Sequence, residues 1–183
     1  MIILANDDAK KMVERDSLGP FLEEYAYVTG DHLTLVAAGE RPDFLCEKRG
    51  RRYGLEVVRA MQTPVPRSWG VSLDGDSHLH GLDAAILVQE TVYKKDQKRA
   101  SSGWQYQKST ILVIQLIGSD GEEMAEYLDN QLMNEMAGTG FREIWIADFS
   151  LMEPHGTIQL IGVKPRRWRG AHRHRFHGAK PYG

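Results

Sequence analysis

The sequence contains a single cysteine, Cys46, among 183 residues. One cysteine cannot form a disulfide within the chain or build a metal site from cysteines alone. We expect Cys46 to be a small buried hydrophobic residue rather than a catalytic thiol. No window approaches the roughly 18 to 20 consecutive apolar residues that a membrane span needs. The segment MIILANDDAKK also lacks the basic start and longer apolar run of a signal peptide. We therefore expect a cytoplasmic protein with no membrane partner.

Three familiar functional motifs are also missing. Gly138-Thr139-Gly140 precedes a predicted strand rather than a helix, so it is not a phosphate-binding glycine loop. No G-x-S-x-G nucleophile elbow occurs. Asp74-Gly75-Asp76 begins like a calcium loop, but no glutamate follows at the spacing that such a loop needs, and we interpret it as a turn. The sequence therefore does not predict a P-loop protein, a serine hydrolase of this type or a calcium-loop protein.

The charges are distributed unevenly in a chain of otherwise ordinary composition. With 42% hydrophobic and 26% charged residues, the chain is typical of a globular protein, and we expect one domain over residues 1–163. Residues 164–183 carry seven Lys or Arg and no acid, which leaves 16 basic and 25 acidic side chains in residues 1–163. A basic carboxy-terminal tail on an acidic domain suggests a polyanionic partner.

The hydrophobic pattern predicts alternating helices and strands. Apolar residues at helical spacing indicate helices over 7–27, 81–99 and 121–138, with Gly19-Pro20 breaking or kinking the first. Alternating or continuous β-branched runs indicate strands over 33–38, 43–48, 52–59, 109–118, 141–150 and 157–163. The order is helix, three strands, helix, strand, helix, two strands. This order predicts an α/β domain of three layers, with a mixed central sheet flanked by helices.

The second and third predicted strands form a hairpin that carries two acids. The turn is Lys48-Arg49-Gly50-Arg51, and its glycine amid charged residues is a hairpin signal. Asp43 opens the first strand and Glu56 lies within the second. A carboxylate in apolar surroundings needs a partner or a cation. On adjacent antiparallel strands the two acids can converge, and with the carbonyl of Val57 they offer the oxygen ligands that Mg²⁺ prefers.

The stretches RPDF and GLEVV, together with the predicted order of helices and strands, resemble the PD-(D/E)xK nuclease superfamily, also called restriction endonuclease-like. The resemblance extends over residues 12–150. It implies the restriction endonuclease-like fold, with a core of a helix, a three-strand meander, a helix and a strand. It also implies Mg²⁺, with Mn²⁺ as a substitute, bound by Asp43 and Glu56. Such a site hydrolyses phosphodiester bonds.

The sequence departs from the superfamily pattern at Val58, where a lysine is expected. Some branches of the superfamily place this lysine on the following helix, and here that helix offers Lys95. Lys94 and Lys98 are the alternatives. The resemblance therefore implies Asp43, Glu56 and Lys95 as catalytic residues. Further acids that could join the site are Glu40, Glu23 and Glu24.

The basic tail has the composition of a nucleic-acid-binding segment, because arginines contact phosphates and aromatic rings stack on bases. We expect the contacts to come from Arg166, Arg167, Trp168 and Arg169. Arg67 and Trp69, in the irregular stretch 60–80, could add to them. The histidines of the tail could bind a transition metal, but no fourth ligand is evident, and a disordered or partner-docking tail is the favoured interpretation; these histidines are His172, His174 and His177.

These features together predict a metal-dependent endonuclease, with DNA favoured over RNA as the substrate. A homodimer is possible, since cutting both strands often needs two active sites. The alternative is a catalytically inactive module of the same fold that binds nucleic acid or a protein partner. The lysine missing at Val58 and the acidic charge of residues 1–163 favour this alternative.

Overall fold

The computed structural model describes residues 18–60, 80–101, 103–117, 119–150 and 156–172. Within these ranges one mixed sheet of seven strands runs in sequential order, from the first strand at one edge to the seventh at the other. The strands are β1 (Thr34–Ala38), β2 (Phe44–Lys48), β3 (Arg51–Ala60), β4 (Thr110–Leu116), β5 (Glu143–Asp148), β6 (Gln159–Lys164) and β7 (Gly170–His172). The helices are α1 (residues 18–29), α2 (Gly81–Arg99), α3 (Gly121–Tyr127) and α4 (Asn130–Ala137).

The predicted hairpin is confirmed. β2 and β3 pair antiparallel, with Phe44 opposite Leu55 and Lys48 opposite Arg51. Between them, Arg49 has φ 50° and Gly50 has φ 72°. A two-residue hairpin turn of type I′ requires positive φ at both central positions, and glycine meets that requirement without steric cost. The hairpin is therefore fixed by its local sequence.

Parallel pairing in the centre of the sheet follows from the two helical crossovers. β3 pairs parallel with β4, and β4 with β5, while every other neighbouring pair is antiparallel. Every residue of β4 is buried, as its continuous apolar sequence predicts. The connection from β3 to β4 contains α2, and that from β4 to β5 contains α3 and α4. The α/β class expected from the sequence is therefore present.

The sheet separates two hydrophobic cores. On one face, α1 packs through residues such as Phe21 and Tyr25 against Leu55 and Val57 of β3. On the other face, α2, α3 and α4 pack against β3 to β6, in a core that includes Ala60. Because successive residues of a strand point to opposite faces, Glu56 lies on the face that α2 covers.

Two local predictions need correction. The single helix expected over 121–138 is two helices, because the Asp129 side chain accepts a hydrogen bond from the Leu132 amide (2.8 Å) and caps a new helix. The described part of α1 begins at residue 18, so Gly19 and Pro20 lie in its first turn, and the break or kink expected there stays a prediction because residues 7–17 lie outside the described ranges. Residues 170–172 of the predicted tail form β7, which pairs with β6.

Candidate functional site

Asp43 and Glu56 lie side by side at the start of β2 and the middle of β3. The backbone N–H of Val57 donates to Asp43 Oδ2 (2.9 Å), and the backbone N–H of Asp43 donates to Glu56 Oε2 (3.3 Å). Each carboxylate is thus held by the backbone of the other strand. Phe44 pairs with Leu55 in the antiparallel register. The residue before the first, Asp43, therefore lies directly across from the residue after the second, Glu56. The two carboxylates therefore converge, as the hairpin predicted.

Lys95 reaches this pair from α2. Its Nζ donates to Glu56 Oε1 at 2.5 Å. Val88 and Val92 are fully buried against the sheet, and Lys95 follows them by seven and three residues, so it continues their stripe. The helix therefore directs the Lys95 side chain toward the same face of β3 from which Glu56 projects.

The two alternative lysines of the helix lie elsewhere. Lys94 is exposed and forms a pair with Glu90 on its own helix at 3.7 Å. Lys98 is also exposed. Of the three lysines considered from the sequence, Lys95 is the one that contacts Glu56 in the described structure.

The electrostatics of the site centre on Glu56, which is only 3% exposed. Burial raises the pKa of its carboxyl above the usual value, and the nearby charge of Asp43 raises it further. The Lys95 ammonium and the hydrogen bond from the Asp43 backbone act in the opposite direction. Two neighbouring carboxylates thus have one lysine, which contacts Glu56, and a further cation would relieve their repulsion.

The donor set is compatible with Mg²⁺, which commonly uses one or two carboxylates and keeps several waters. In the described ranges no cluster of three or more His, Cys, Asp or Glu side chains has the arrangement of a metal site. A metal here would therefore depend on Asp43 and Glu56 together with water or backbone oxygen. Val57, predicted as a carbonyl ligand, contributes its N–H to the Asp43 contact and its side chain to the opposite core.

The additional acids considered from the sequence have different environments. Glu40 and Glu23 are exposed. Glu24 is 4% exposed and belongs to α1, which packs on the face of the sheet opposite to Glu56.

The predicted nucleic-acid-binding residues follow β6 and have mixed environments. Arg166 and Arg167 are exposed, and the Arg167 guanidinium lies 5.6 Å from the centre of the Trp168 ring. Trp168 is partly buried against the α1-side core. Arg169 donates to the Val163 carbonyl (3.1 Å) and to Asn134 Oδ1 (2.7 Å). The Arg169 guanidinium is therefore engaged in contacts within the protein, whereas Arg166 and Arg167 face solvent.

Other predicted features of the basic segments are only partly described. His172 contacts the Trp168 carbonyl through Nε2 at 2.8 Å. His174 and His177, and the loop residues Arg67 and Trp69, lie outside the described residues.

A second polar cluster, not anticipated from the sequence, is buried on the α1 side of the sheet. Lys48 Nζ donates to Glu143 Oε1 (2.5 Å) and to the Tyr25 hydroxyl (2.8 Å). The Tyr25 hydroxyl and the Trp145 indole N–H both donate to Glu143 Oε2, each at 2.9 Å. The position of Lys48 in β2 was a usable signal, because it alternates with buried Phe44 and Cys46 and so points inward.

Comparison of the chain with protein-family models, with curated proteins and with solved structures finds no match. Within the ranges that the structure describes, no helix is both long and apolar enough to cross a bilayer. The candidate site therefore has to be interpreted from its own chemistry.

Proposed function

We propose that this protein is a metal-dependent endonuclease of restriction endonuclease-like fold that hydrolyses phosphodiester bonds in nucleic acid. The observation that carries the proposal is the 2.5 Å contact between Lys95 Nζ and Glu56 Oε1, beside Asp43. The superfamily that the sequence resembles combines two acids with one lysine. Val58 occupies the usual position of that lysine, and the Lys95 ammonium from α2 supplies the missing charge.

Asp43 and Glu56 would hold Mg²⁺, or Mn²⁺ as a substitute. When bound, such an ion lowers the pKa of a coordinated water and neutralises charge on the phosphoryl oxygens. Glu56 must be ionised to act as a ligand, and the adjacent Lys95 ammonium favours that ionised form. Lys95 would also orient the attacking water and offset negative charge that develops on the phosphate.

For the substrate we favour DNA over RNA, with the protein acting in the cytoplasm and a homodimer as the form that would cut both strands. Arg166 and Arg167 are exposed and available to phosphates, and Trp168 is partly accessible. Arg169 would contribute less, because its guanidinium already bonds to Val163 and Asn134.

The test is cleavage of supercoiled plasmid DNA and of single-stranded RNA by the purified protein with Mg²⁺ or Mn²⁺. We expect nicking or cutting that EDTA stops. Glu56→Gln should abolish it, because the amide removes one of the two negative ligands. Glu47→Gln, an exposed acid on β2, is the matched control and should cleave normally. Cleavage that persists in Glu56→Gln would refute the assignment.

A second function, a non-catalytic module that binds nucleic acid or a protein, is favoured by one observation. The described oxygens of the acid pair already accept three intramolecular hydrogen bonds, from Val57 N, Asp43 N and Lys95 Nζ. The site is thus internally satisfied to a large degree without a metal.

Calorimetric titration with Mn²⁺ separates the two functions. The nuclease proposal expects saturable binding that is lost in both Asp43→Asn and Glu56→Gln. If the wild-type protein binds no Mg²⁺ or Mn²⁺ through these residues, the non-catalytic function is the correct one.

A further inference from the structure

A cleft of about 650 Å³ lies at the turn end of the β2–β3 hairpin, away from the Asp43 and Glu56 pair. It extends to the start of β5 and the end of β6. The cationic side chains that line it outnumber the acidic ones by six to two, although the whole chain has a net charge of −2. The six are Lys48, Arg49, Arg51, Arg142, Lys164 and Arg167.

Both acids of the cleft are already paired. Glu143 Oε1 accepts from Lys48 Nζ, and Asp31 Oδ1 accepts from Arg49 Nε, both at 2.5 Å. The charges of Lys48 and Arg49 are therefore balanced by carboxylates of the protein, the first pair buried and the second exposed on the arginine side. Neither acid of the cleft is paired with the other four cations, which are Arg51, Arg142, Lys164 and Arg167.

The contacts of these four cations are with neutral groups or solvent. Lys164 Nζ donates to the Thr139 carbonyl (2.9 Å), and Arg167 lies over the Trp168 ring. Arg51 and Arg142 are exposed and form no ion pair in the part of the chain that the structure describes. Four guanidinium or ammonium groups thus line one cleft without a salt bridge to a carboxylate of the described residues.

The positive charge around the cleft affects the pKa of Lys164. Burial lowers the pKa of its ammonium, and the positive charges of Arg142 and Arg99 lower it further, while Asp96 acts in the opposite direction. An anion in the cleft would counter this repulsion. Lys164 would then become easier to protonate, so binding and protonation would favour each other.

We propose that this cleft binds a small phosphorylated ligand through Arg51, Arg142, Lys164 and Arg167. Guanidinium groups present paired N–H donors that match the oxygens of phosphate, which favours phosphate over a monovalent anion. The volume lies within the range of roughly 300 to 1,000 Å³ that is usual for small-molecule sites. The buried Lys48–Glu143 pair with Tyr25 forms a rigid, internally satisfied support beside it.

This site is separate from the Asp43 and Glu56 pair, although Arg167 also belongs to the proposed nucleic-acid contacts. Lys48 lies five residues along β2 from Asp43, which corresponds to about 17 Å at roughly 3.4 Å per residue. The side chains of Lys48 and Glu143 also point to the α1 side of the sheet, whereas Glu56 points to the α2 side. A ligand in the cleft would therefore not contact the acid pair.

The test is isothermal titration with inorganic pyrophosphate in metal-free buffer that contains EDTA. We expect saturable binding of one pyrophosphate per chain. Arg51→Gln and Arg142→Gln should each weaken it by about tenfold or more, because each removes a charge-assisted contact to the phosphate oxygens. Arg52→Gln is the matched control, since Arg52 is exposed, adjacent to Arg51 and absent from the cleft lining, and it should bind normally.

Three outcomes would overturn the proposal. The wild-type protein could show no saturable binding. Arg52→Gln could weaken binding as much as Arg51→Gln does, which would indicate diffuse surface charge. Glu56→Gln could abolish binding, which would place the pyrophosphate at the acid pair instead. Retained binding in Glu56→Gln supports the cleft whether or not the protein proves to be a nuclease.

Discussion

Two buried lysine–carboxylate pairs lie on opposite faces of the same sheet and have the same N–O distance. Lys95 Nζ is 2.5 Å from Glu56 Oε1, and Lys48 Nζ is 2.5 Å from Glu143 Oε1. The two glutamate side chains are 4% and 6% exposed. By distance and burial of the carboxylate, the pairs are nearly the same.

Their neighbours make them different. Glu143 also accepts hydrogen bonds from Tyr25 and Trp145, so neutral donors complete its surroundings. Glu56 instead lies beside a second carboxylate, Asp43, whose charge raises its pKa. A buried ion pair is therefore not by itself an indication of function. The Glu56 pair is a candidate for cation binding because the second carboxylate, Asp43, adds a negative charge that the Lys95 ammonium alone does not neutralise.

The largest effect that we expect concerns the stability of the structural pair. Lys48→Met leaves the Glu143 charge buried without its cation, and breaking a buried pair in this way costs about 3 to 5 kcal/mol. Lys95→Met should cost less, because Glu56 can take up a proton and a fifth of the Lys95 side chain is exposed. Urea denaturation at pH 7 measures both free energies of unfolding. Equal losses would remove the distinction between the pairs.

The next effect concerns cleavage. If the proposed function is correct, Lys95→Met should reduce the rate by about 10² to 10³-fold, as loss of one electrostatic group in an active site commonly does. Lys94→Met removes the same charge from the neighbouring exposed position and should change the rate little. The measurement is the initial rate of plasmid nicking at saturating Mg²⁺. A similar loss in both variants would argue against a specific role for Lys95.

The smallest effect is a dependence of stability on pH. Because the folded-state pKa of Glu56 is raised above the usual value of 4.5, the stability associated with this group is fully present below that value. It is lost as the pH rises through the folded-state pKa. Glu56→Gln removes this loss, so its free energy of unfolding relative to wild type should become more favourable as the pH rises above 4.5.

Asp148 also has a pKa raised by burial, so the wild-type curve alone would not isolate Glu56. The relevant quantity is the difference between Glu56→Gln and wild type, measured without divalent cations by urea denaturation. A difference that does not change with pH would contradict a raised folded-state pKa for Glu56.

Elements set by local patterns were predicted closely. The helix expected over 81–99 is α2, Gly81–Arg99, and the hairpin turn lies at Arg49 and Gly50 as expected. The Asp120 side chain accepts a hydrogen bond from the Glu122 amide at 2.8 Å and caps α3, which starts at the residue where the predicted helix starts. Capping, turn chemistry and apolar periodicity depend on residues a few positions apart, which a single sequence displays directly.

Features that depend on distant residues were not predicted. The short strand β7 exists because β6 offers it an edge, and three residues carry too little pattern to indicate a strand. Lys48 and Glu143 are 95 residues apart, and neither position suggests the other. The cationic cleft joins the hairpin turn to the start of β5 and the end of β6. Contacts between residues so distant in the sequence depend on the order of the strands in the sheet.

The sequence by itself determined the hairpin, its two acids and a helix that bears lysines, because each follows from local spacing. Only the tertiary structure decided that Lys95, and not Lys94 or Lys98, contacts Glu56. The physical reason is the crossover from β3 through α2 to β4, which lays one face of that helix against the sheet. The rotation of α2 that buries Val88 and Val92 also directs Lys95 to the acids and leaves Lys94 in solvent.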